Sequence, residues 1–135
     1  MTTDWVKDIA GMHAHYGVNE KVVDFDKEKL KQFLNFRMSF LEEELAETKT
    51  AVRTNDAEEI VDGLIDLCVV AIGTLDAMGI DSHAAWTQVL RANLAKQVGI
   101  KPERPNPLGL PDLIKPAGWK APSHAKNHGL LTKLK

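Results

Sequence analysis

All six prolines of this 135-residue chain lie after residue 100, at positions 102, 105, 107, 111, 116 and 122. Proline inside a helix removes a backbone donor and collides with the preceding turn, at about 3 kcal/mol. The first hundred residues are therefore free to be helical from end to end, and residues 101–135 are not. Alternation of apolar and polar residues at period two is absent throughout, so no sheet is expected. What recurs instead is apolar spacing of three and four residues.

Four helical segments follow from that spacing. The first runs from about Asp4 to His15 and stops near "HYGVN", where Gly17 can supply a left-handed turn. Asp26 can cap the second, "KEKLKQFLNFRMSFLEEELAETKTAVRT", a long amphipathic helix. In the third, Asp56 stands at the N-cap with Glu59 three residues on, a capping-box spacing, and the helix continues to "AMGID". The fourth starts at Asp81 or Ser82, carries Ala85, Trp86, Val89, Leu90 and Leu94, and ends before Gly99. Four helices with short loops predict an all-α four-helix bundle over residues 1–100. Residues 101–135 form a Pro-rich, extended C-terminal tail. Leu108, Leu110, Leu113, Ile114 and Trp119 give it apolar surface to pack on the bundle or on a neighbouring subunit, with the last ten residues the freest.

Charge divides at the same place. Residues 1–100 carry 10 basic and 17 acidic side chains, and residues 101–135 carry 7 and 2. An acidic body argues against duplex nucleic acid as the main partner and for a site that collects cations. The longest apolar run, "LCVVAIGTL", is far short of the roughly 20 residues that span a bilayer, and no basic-then-apolar leader opens the chain. A cytoplasmic protein with no membrane partner is expected. Cys68 is the only cysteine, which removes disulfides and zinc–cysteine sites and leaves a buried thiol.

The acids demand an explanation. Residues three and four apart share a helix face, so Glu44 and Glu47 project together from the second helix, with Glu43 beside them. Glu59, Asp62 and Asp66 project together from the third. Helices joined by a short loop pack antiparallel, which lets the two clusters face one another. Along "IVDGLIDLCVVAIG" apolar residues cover almost the whole circumference, leaving Asp62 and Asp66 little aqueous face. Ionised carboxylates in such a setting cost several kcal/mol per ion unless something positive compensates. No Lys or Arg occurs between Arg53 and Arg91. Hard divalent cations such as Mg²⁺ and Mn²⁺, which prefer carboxylate oxygen, answer this. A ferritin-like di-iron site is excluded, because neither cluster has the histidine three residues on that it needs. A carboxylate-only site of this kind commonly holds a phosphate chain and activates water.

These residues resemble a family, the all-α nucleoside triphosphate pyrophosphohydrolases, which include MazG, the dimeric dUTPases and phosphoribosyl-ATP pyrophosphohydrolase. Its signature, EExxE followed by ExxD on the next helix, reads here Glu43-Glu44-Leu45-Ala46-Glu47, eleven residues, then Glu59-Ile60-Val61-Asp62. The likeness is closest to short MazG-like proteins of bacteria and their phages. "MHAHYG" is similar to an FHxxFG element, with His13 at its histidine. "FRMSFLEEELAE" resembles an RxxFLxEExxE run that begins at Arg37. "RANLAK" resembles an SNMxK element through Asn93 and Lys96, and "KPAGWKAPSH" a Pro-rich closing element containing Trp119. Cys68 and Val69 stand where the family often has a tyrosine.

The resemblance implies hydrolysis of a nucleoside or deoxynucleoside triphosphate between the α and β phosphates, with guanine nucleotides the first to test. It implies about two or three Mg²⁺ or Mn²⁺ per site held by Glu44, Glu47, Glu59 and Asp62. Glu43 would orient or deprotonate water, directly or through a further metal, and Asp66 would stand behind the ligands. Asn93, Lys96, His13, Arg37, Trp119 and Lys120 would bind substrate, Lys96 foremost among cations that also include Arg91 and Lys115, with Phe40 a further stacking candidate. A homodimer or homotetramer in the cytosol of a bacterium or phage-infected host is implied as well. The alternatives are phosphoribosyl-ATP hydrolysis and a non-catalytic helical module that docks a basic partner.

Overall fold

The computed structural model describes residues 3–104 and 106–135, so Pro105 of the Pro-rich segment lies outside the described residues. Helix α1 spans Trp5–Tyr16 because the Asp4 carboxylate accepts from the Lys7 N–H at 3.1 Å and Gly17, at φ +69°, turns the chain left-handed. A short α2, Val18–Val22, follows at once. It was not expected, since five residues are too few to display a 3.6-residue period. Helix α3 spans Lys27–Arg53, with the Asp26 carboxylate accepting from the Lys29 N–H at 2.9 Å. Helix α4 spans Ala57–Ala77 and α5 spans Ser82–Leu94. At the start of α4 the Asp56 carboxylate accepts from the Glu59 N–H at 3.2 Å, but the Asp56 N–H donates to the Ala51 carbonyl. Only half of the expected capping box therefore forms.

The expectation of no sheet is corrected in one place. Strand β1, Gln97–Gly99, pairs antiparallel with β2, Asp112–Ile114, in the register Gln97↔Ile114, Val98↔Leu113, Gly99↔Asp112. Three residues per strand are too short to alternate visibly, and a side chain at Gly99 would collide with Ile114. Helix nonetheless dominates, and the fold is all-α. Among the described residues no single helix is long and apolar enough to cross a membrane.

The chain forms two compact units, residues 1–82 with 126–135 and residues 83–125. In the first, Val22, Leu30, Ala77 and Met78 make a buried core, and Phe25, Phe33, Leu34, Ile80, Leu130, Leu131 and Leu134 pack around it. The last ten residues, expected to be the freest, are part of this core. They form a 3₁₀ helix, Gly129–Leu134, in which the Leu130 N–H donates to the Met78 carbonyl at 2.7 Å. Lys133 Nζ donates to the Val23 and Phe25 carbonyls, each at 2.9 Å, and Asn127 brackets the Asp81 backbone with two hydrogen bonds. Gly129 lies at φ +52°, and any side chain there would strike the Met78 carbonyl.

In the second unit the chain after β2 is fastened to α5. Trp119 Nε1 donates to the Ala92 carbonyl at 2.7 Å, Arg91 donates to the Ala121 carbonyl at 3.2 Å, and the Ser123 N–H donates to Gln88 Oε1 at 3.2 Å.

Candidate active site

Helices α3 and α4 pack antiparallel: going up α3 from Arg37 through Glu44 to Thr48, the neighbours run down α4 from Thr74 through Asp66 to Gly63. They approach closely at Gly63. It has no Cβ, so the buried Thr48 side chain, whose hydroxyl donates to the Glu44 carbonyl at 2.7 Å, sits directly against the α4 backbone. A glycine inside a helix is about 1 kcal/mol worse than alanine, so its presence in an otherwise apolar helix signals a packing need.

That approach draws the acids into one field. The Glu44 carboxyl is pushed above its ordinary value by partial desolvation, then by the charges of Asp66, Glu47, Glu43 and Asp62. Four of the other five predicted acids, on α3 and on α4, therefore act on Glu44. Glu44 and Asp66 are half-buried; Glu43, Glu47 and Asp62 are exposed. Asp66, expected behind the others, is the first of the neighbouring charges that raise Glu44. Glu59 is exposed in the first turn of α4 and is not among the charges acting on Glu44. The donor set is all hard oxygen, the chemistry that Mg²⁺ and Mn²⁺ prefer. Among the described residues, however, no three His, Cys, Asp or Glu side chains already converge as a metal cage.

Further along the helices a second polar cluster forms around Gly73. Arg37 Nε donates to Thr74 Oγ1 at 2.9 Å and its Nη2 to the Val70 carbonyl at 3.0 Å; burial lowers its affinity for the proton. Thr74 donates in turn to the Val70 carbonyl at 2.7 Å. His13, 5% exposed, holds Nδ1 3.0 Å from Asp76 Oδ2, close but misaligned for a hydrogen bond. Asn19 Nδ2 donates to the same Asp76 oxygen at 3.0 Å. A Cβ at Gly73 would stand 2.7 Å from Arg37 Nη2 and 2.9 Å from His13 Nε2. Two groups expected to meet substrate are thus engaged in fastening α1 and α3 to α4, as Asn19 fastens α2. Neither the Asp76–Asn19 pair nor the two helical glycines was anticipated; "DGLID" and "AIGTL" carried the only hint, a glycine where alanine would make the better helix.

Phe40, the other stacking candidate, is half-buried edge-to-face with Phe36, ring centroids 6.5 Å apart. In the second unit Asn93 and Lys120 are exposed, while Lys96 is half-buried with Nζ 5.4 Å from the Trp119 ring centroid. Lys115 Nζ lies 5.0 Å from the same centroid.

The sequence profile of the phosphoribosyl-ATP pyrophosphohydrolase family matches residues 18–93, more than half of the 135. The match takes in all six acids. None of the curated proteins compared with the chain matches it.

Proposed function

Because the chain belongs to the phosphoribosyl-ATP pyrophosphohydrolase family, and so to the all-α nucleoside triphosphate pyrophosphohydrolases, we propose that it hydrolyses a nucleoside or deoxynucleoside triphosphate between the α and β phosphates. Pyrophosphohydrolase chemistry, the cleavage of a phosphoanhydride by water, comes with the family. The triphosphate substrate and the metal are our assignment. The observation that carries it is the antiparallel pairing of α3 and α4, fixed by the Arg37–Thr74 and Thr48–Gly63 contacts, which sets Glu43, Glu44 and Glu47 opposite Asp62 and Asp66.

Glu44, Glu47 and Asp62, with Glu59 at the head of α4, would hold Mg²⁺ or Mn²⁺, which when bound supplies charge neutralisation for the phosphate oxygens and a more acidic water. Glu43 orients the attacking water and accepts its proton. Water oxygen bonds to phosphorus, the αβ bridge breaks, and the monophosphate and pyrophosphate leave. Asp66 sets the electrostatic demand of the groove through Glu44. We assign Lys96, Lys120, Asn93 and Trp119 to the substrate, and give His13 and Arg37 the indirect task of holding the helices that carry the acids. Guanine nucleotides head the candidates.

A homodimer or homotetramer, in the cytosol of a bacterium or phage-infected host, completes the proposal. Support comes from apolar side chains on α3 and α4 that face solvent, among them Val61 (65% exposed), Leu64 and Val52.

Each common NTP and dNTP, and phosphoribosyl-ATP, incubated with Mg²⁺ or Mn²⁺ tests the assignment. Pyrophosphate plus monophosphate from a triphosphate is the expected result, and ¹⁸O-water identifies the phosphorus attacked. Orthophosphate plus diphosphate contradicts it, turnover of phosphoribosyl-ATP alone narrows the activity to the reaction in the family's name, and no turnover leaves a helical interaction module.

A further inference from the structure

Residues 83–125 leave the first compact unit after Ser82 and return to it at Lys126. Asp81 lies just before the first crossing and Asn127 just after the second, and one side chain ties them together. The Asp81 N–H donates to Asn127 Oδ1 at 2.8 Å, and Asn127 Nδ2 donates to the Asp81 carbonyl at 2.9 Å. Both ends of residues 83–125 are therefore anchored at one point of the first unit, and the anchor belongs to the last ten residues.

Those ten residues are fastened but only shallowly buried. Leu130, Leu131 and Leu134 pack against the Val22, Leu30, Ala77 and Met78 core, yet each is half-buried, and no residue of the 3₁₀ helix is fully buried. The rest of the hold is polar: the Leu130 N–H on the Met78 carbonyl, and the Lys133 ammonium on the Val23 and Phe25 carbonyls just past the end of α2. Strain is stored where the segment begins. Among the described residues, Lys126 and Asn55 are the non-glycine residues at positive φ, +63° and +56°. Asparagine tolerates the left-handed region, whereas the lysine Cβ is crowded there by the backbone. Gly129, at φ +52°, adds a second left-handed turn three residues on. A segment that is half-buried and begins on a strained residue is the kind that opens before the remainder of a fold does.

We infer that residues 126–135 are a latch, which opens separately from α3 and α4 and, while closed, holds both ends of residues 83–125 at Asp81. With the latch open, residues 83–125 stay joined to the first unit through the Ser82–His83 connection alone. The helices that carry the acids keep their own contacts, Arg37 on Thr74 and Thr48 against Gly63, neither of which involves the latch. Asn93, Lys96, Trp119 and Lys120 belong to residues 83–125, so the latch governs how firmly the groups assigned above to substrate are held. That consequence rests on the proposed reaction; the latch itself does not.

Peptide-resolved hydrogen exchange on the full chain, without metal or nucleotide, tests the latch. Amides of residues 126–135 should exchange about tenfold faster than those in the middle of α3 and α4. Lys133→Met keeps the stem and removes both bonds to the Val23 and Phe25 carbonyls, and Gly129→Ala drives a methyl into the Met78 carbonyl. Each should speed exchange of residues 126–135 by about a further fivefold and leave α3 and α4 unchanged. Lys126→Gly, which relieves the left-handed crowding, should slow it, and the exposed Lys49→Met should alter nothing. One common rate for residues 126–135, α3 and α4 overturns the inference. So does a speeding of all three together in Lys133→Met and Gly129→Ala, or exchange in Lys126→Gly no slower than in the parent. The two loosening variants should also raise the KM of a cleaved triphosphate with kcat little changed. An unchanged KM removes the link to substrate, and the absence of any triphosphate turnover removes the proposed reaction, while the exchange rates decide the latch in either case.

Discussion

Gly63→Ala probes the contact on which the acid groove depends. A Cβ built at Gly63 falls 3.2 Å from Thr48 Cβ and 3.5 Å from Thr48 Cα, and collides with Thr48 Oγ1. Rotating the hydroxyl away breaks its hydrogen bond to the Glu44 carbonyl, and the 3.2 Å contact with Thr48 Cβ that remains is tight but relieved by a shift of a few tenths of an ångström. Alanine gains about 1 kcal/mol in a helix interior over glycine, whereas overpacking a close helix contact costs about 1–3 kcal/mol. The net expectation is a loss of about 1 kcal/mol. Gly11→Ala supplies the matched control: Gly11 is inside α1 with nothing within 4 Å of its added Cβ, so only the gain of up to about 1 kcal/mol applies. Urea unfolding of the two variants should therefore differ by about 2 kcal/mol and in sign. Thr48→Ala in the same chain removes the colliding hydroxyl and the methyl beside it, so Gly63→Ala should be neutral or stabilising there. If Gly63→Ala stabilises as Gly11→Ala does, or if Thr48→Ala fails to recover the loss, the close approach of α3 and α4 at this point is wrong. The placing of Glu44 against Asp66 goes with it.

The raised proton affinity of Glu44 fixes a pH dependence. A carboxyl whose folded value lies above its ordinary 4.5 stabilises the fold below that pH, and the contribution is lost as pH rises through the folded value. Glu44→Gln should accordingly melt no lower than the parent at pH 7 in EDTA, with the difference shrinking as pH falls toward 4.5; a large drop at pH 7 speaks against uncompensated repulsion. Mg²⁺ or Mn²⁺ should raise the melting temperature of the parent, by an amount equivalent to about 2.7 kcal/mol at a hundredfold excess over Kd. Asp62→Asn and Glu47→Gln should blunt that response, and an unchanged response removes these residues from the metal assignment. Leu30 is fully buried, and Leu30→Ala should cost about 2–5 kcal/mol in a denaturant titration. Gly73→Ala should lower stability and also disturb the His13 ring resonances in NMR spectra, since its Cβ would stand against His13 and Arg37; undisturbed resonances would count against that packing.

Much of the helical frame was legible because helix signals are local. Asp4, Asp26 and Asp56 accept the backbone N–H three residues on, as a capping residue should, and the proline-free first hundred residues contain all five α-helices found among the described residues. The acid clusters were legible for the same reason, since three- and four-residue spacing settles which side chains leave a helix together. Short elements were not: α2 and the two three-residue strands complete less than two periods of any pattern. The last ten residues looked free because their partners, Met78, Val23 and Phe25, are distant in sequence.

The sequence by itself determined the all-α class, the starts of α1, α3 and α4 and the spacing of acids along each helix, because each depends on residues within a turn or two. Only the tertiary structure decided that α4 lies against α3 at Gly63 and Thr48, that His13 and Arg37 are drawn into the packing around Gly73, and that Lys96 and Lys115 each lie over the Trp119 ring. Those outcomes depend on where a side chain can go once another helix or strand occupies the space, and spacing along one chain does not encode that.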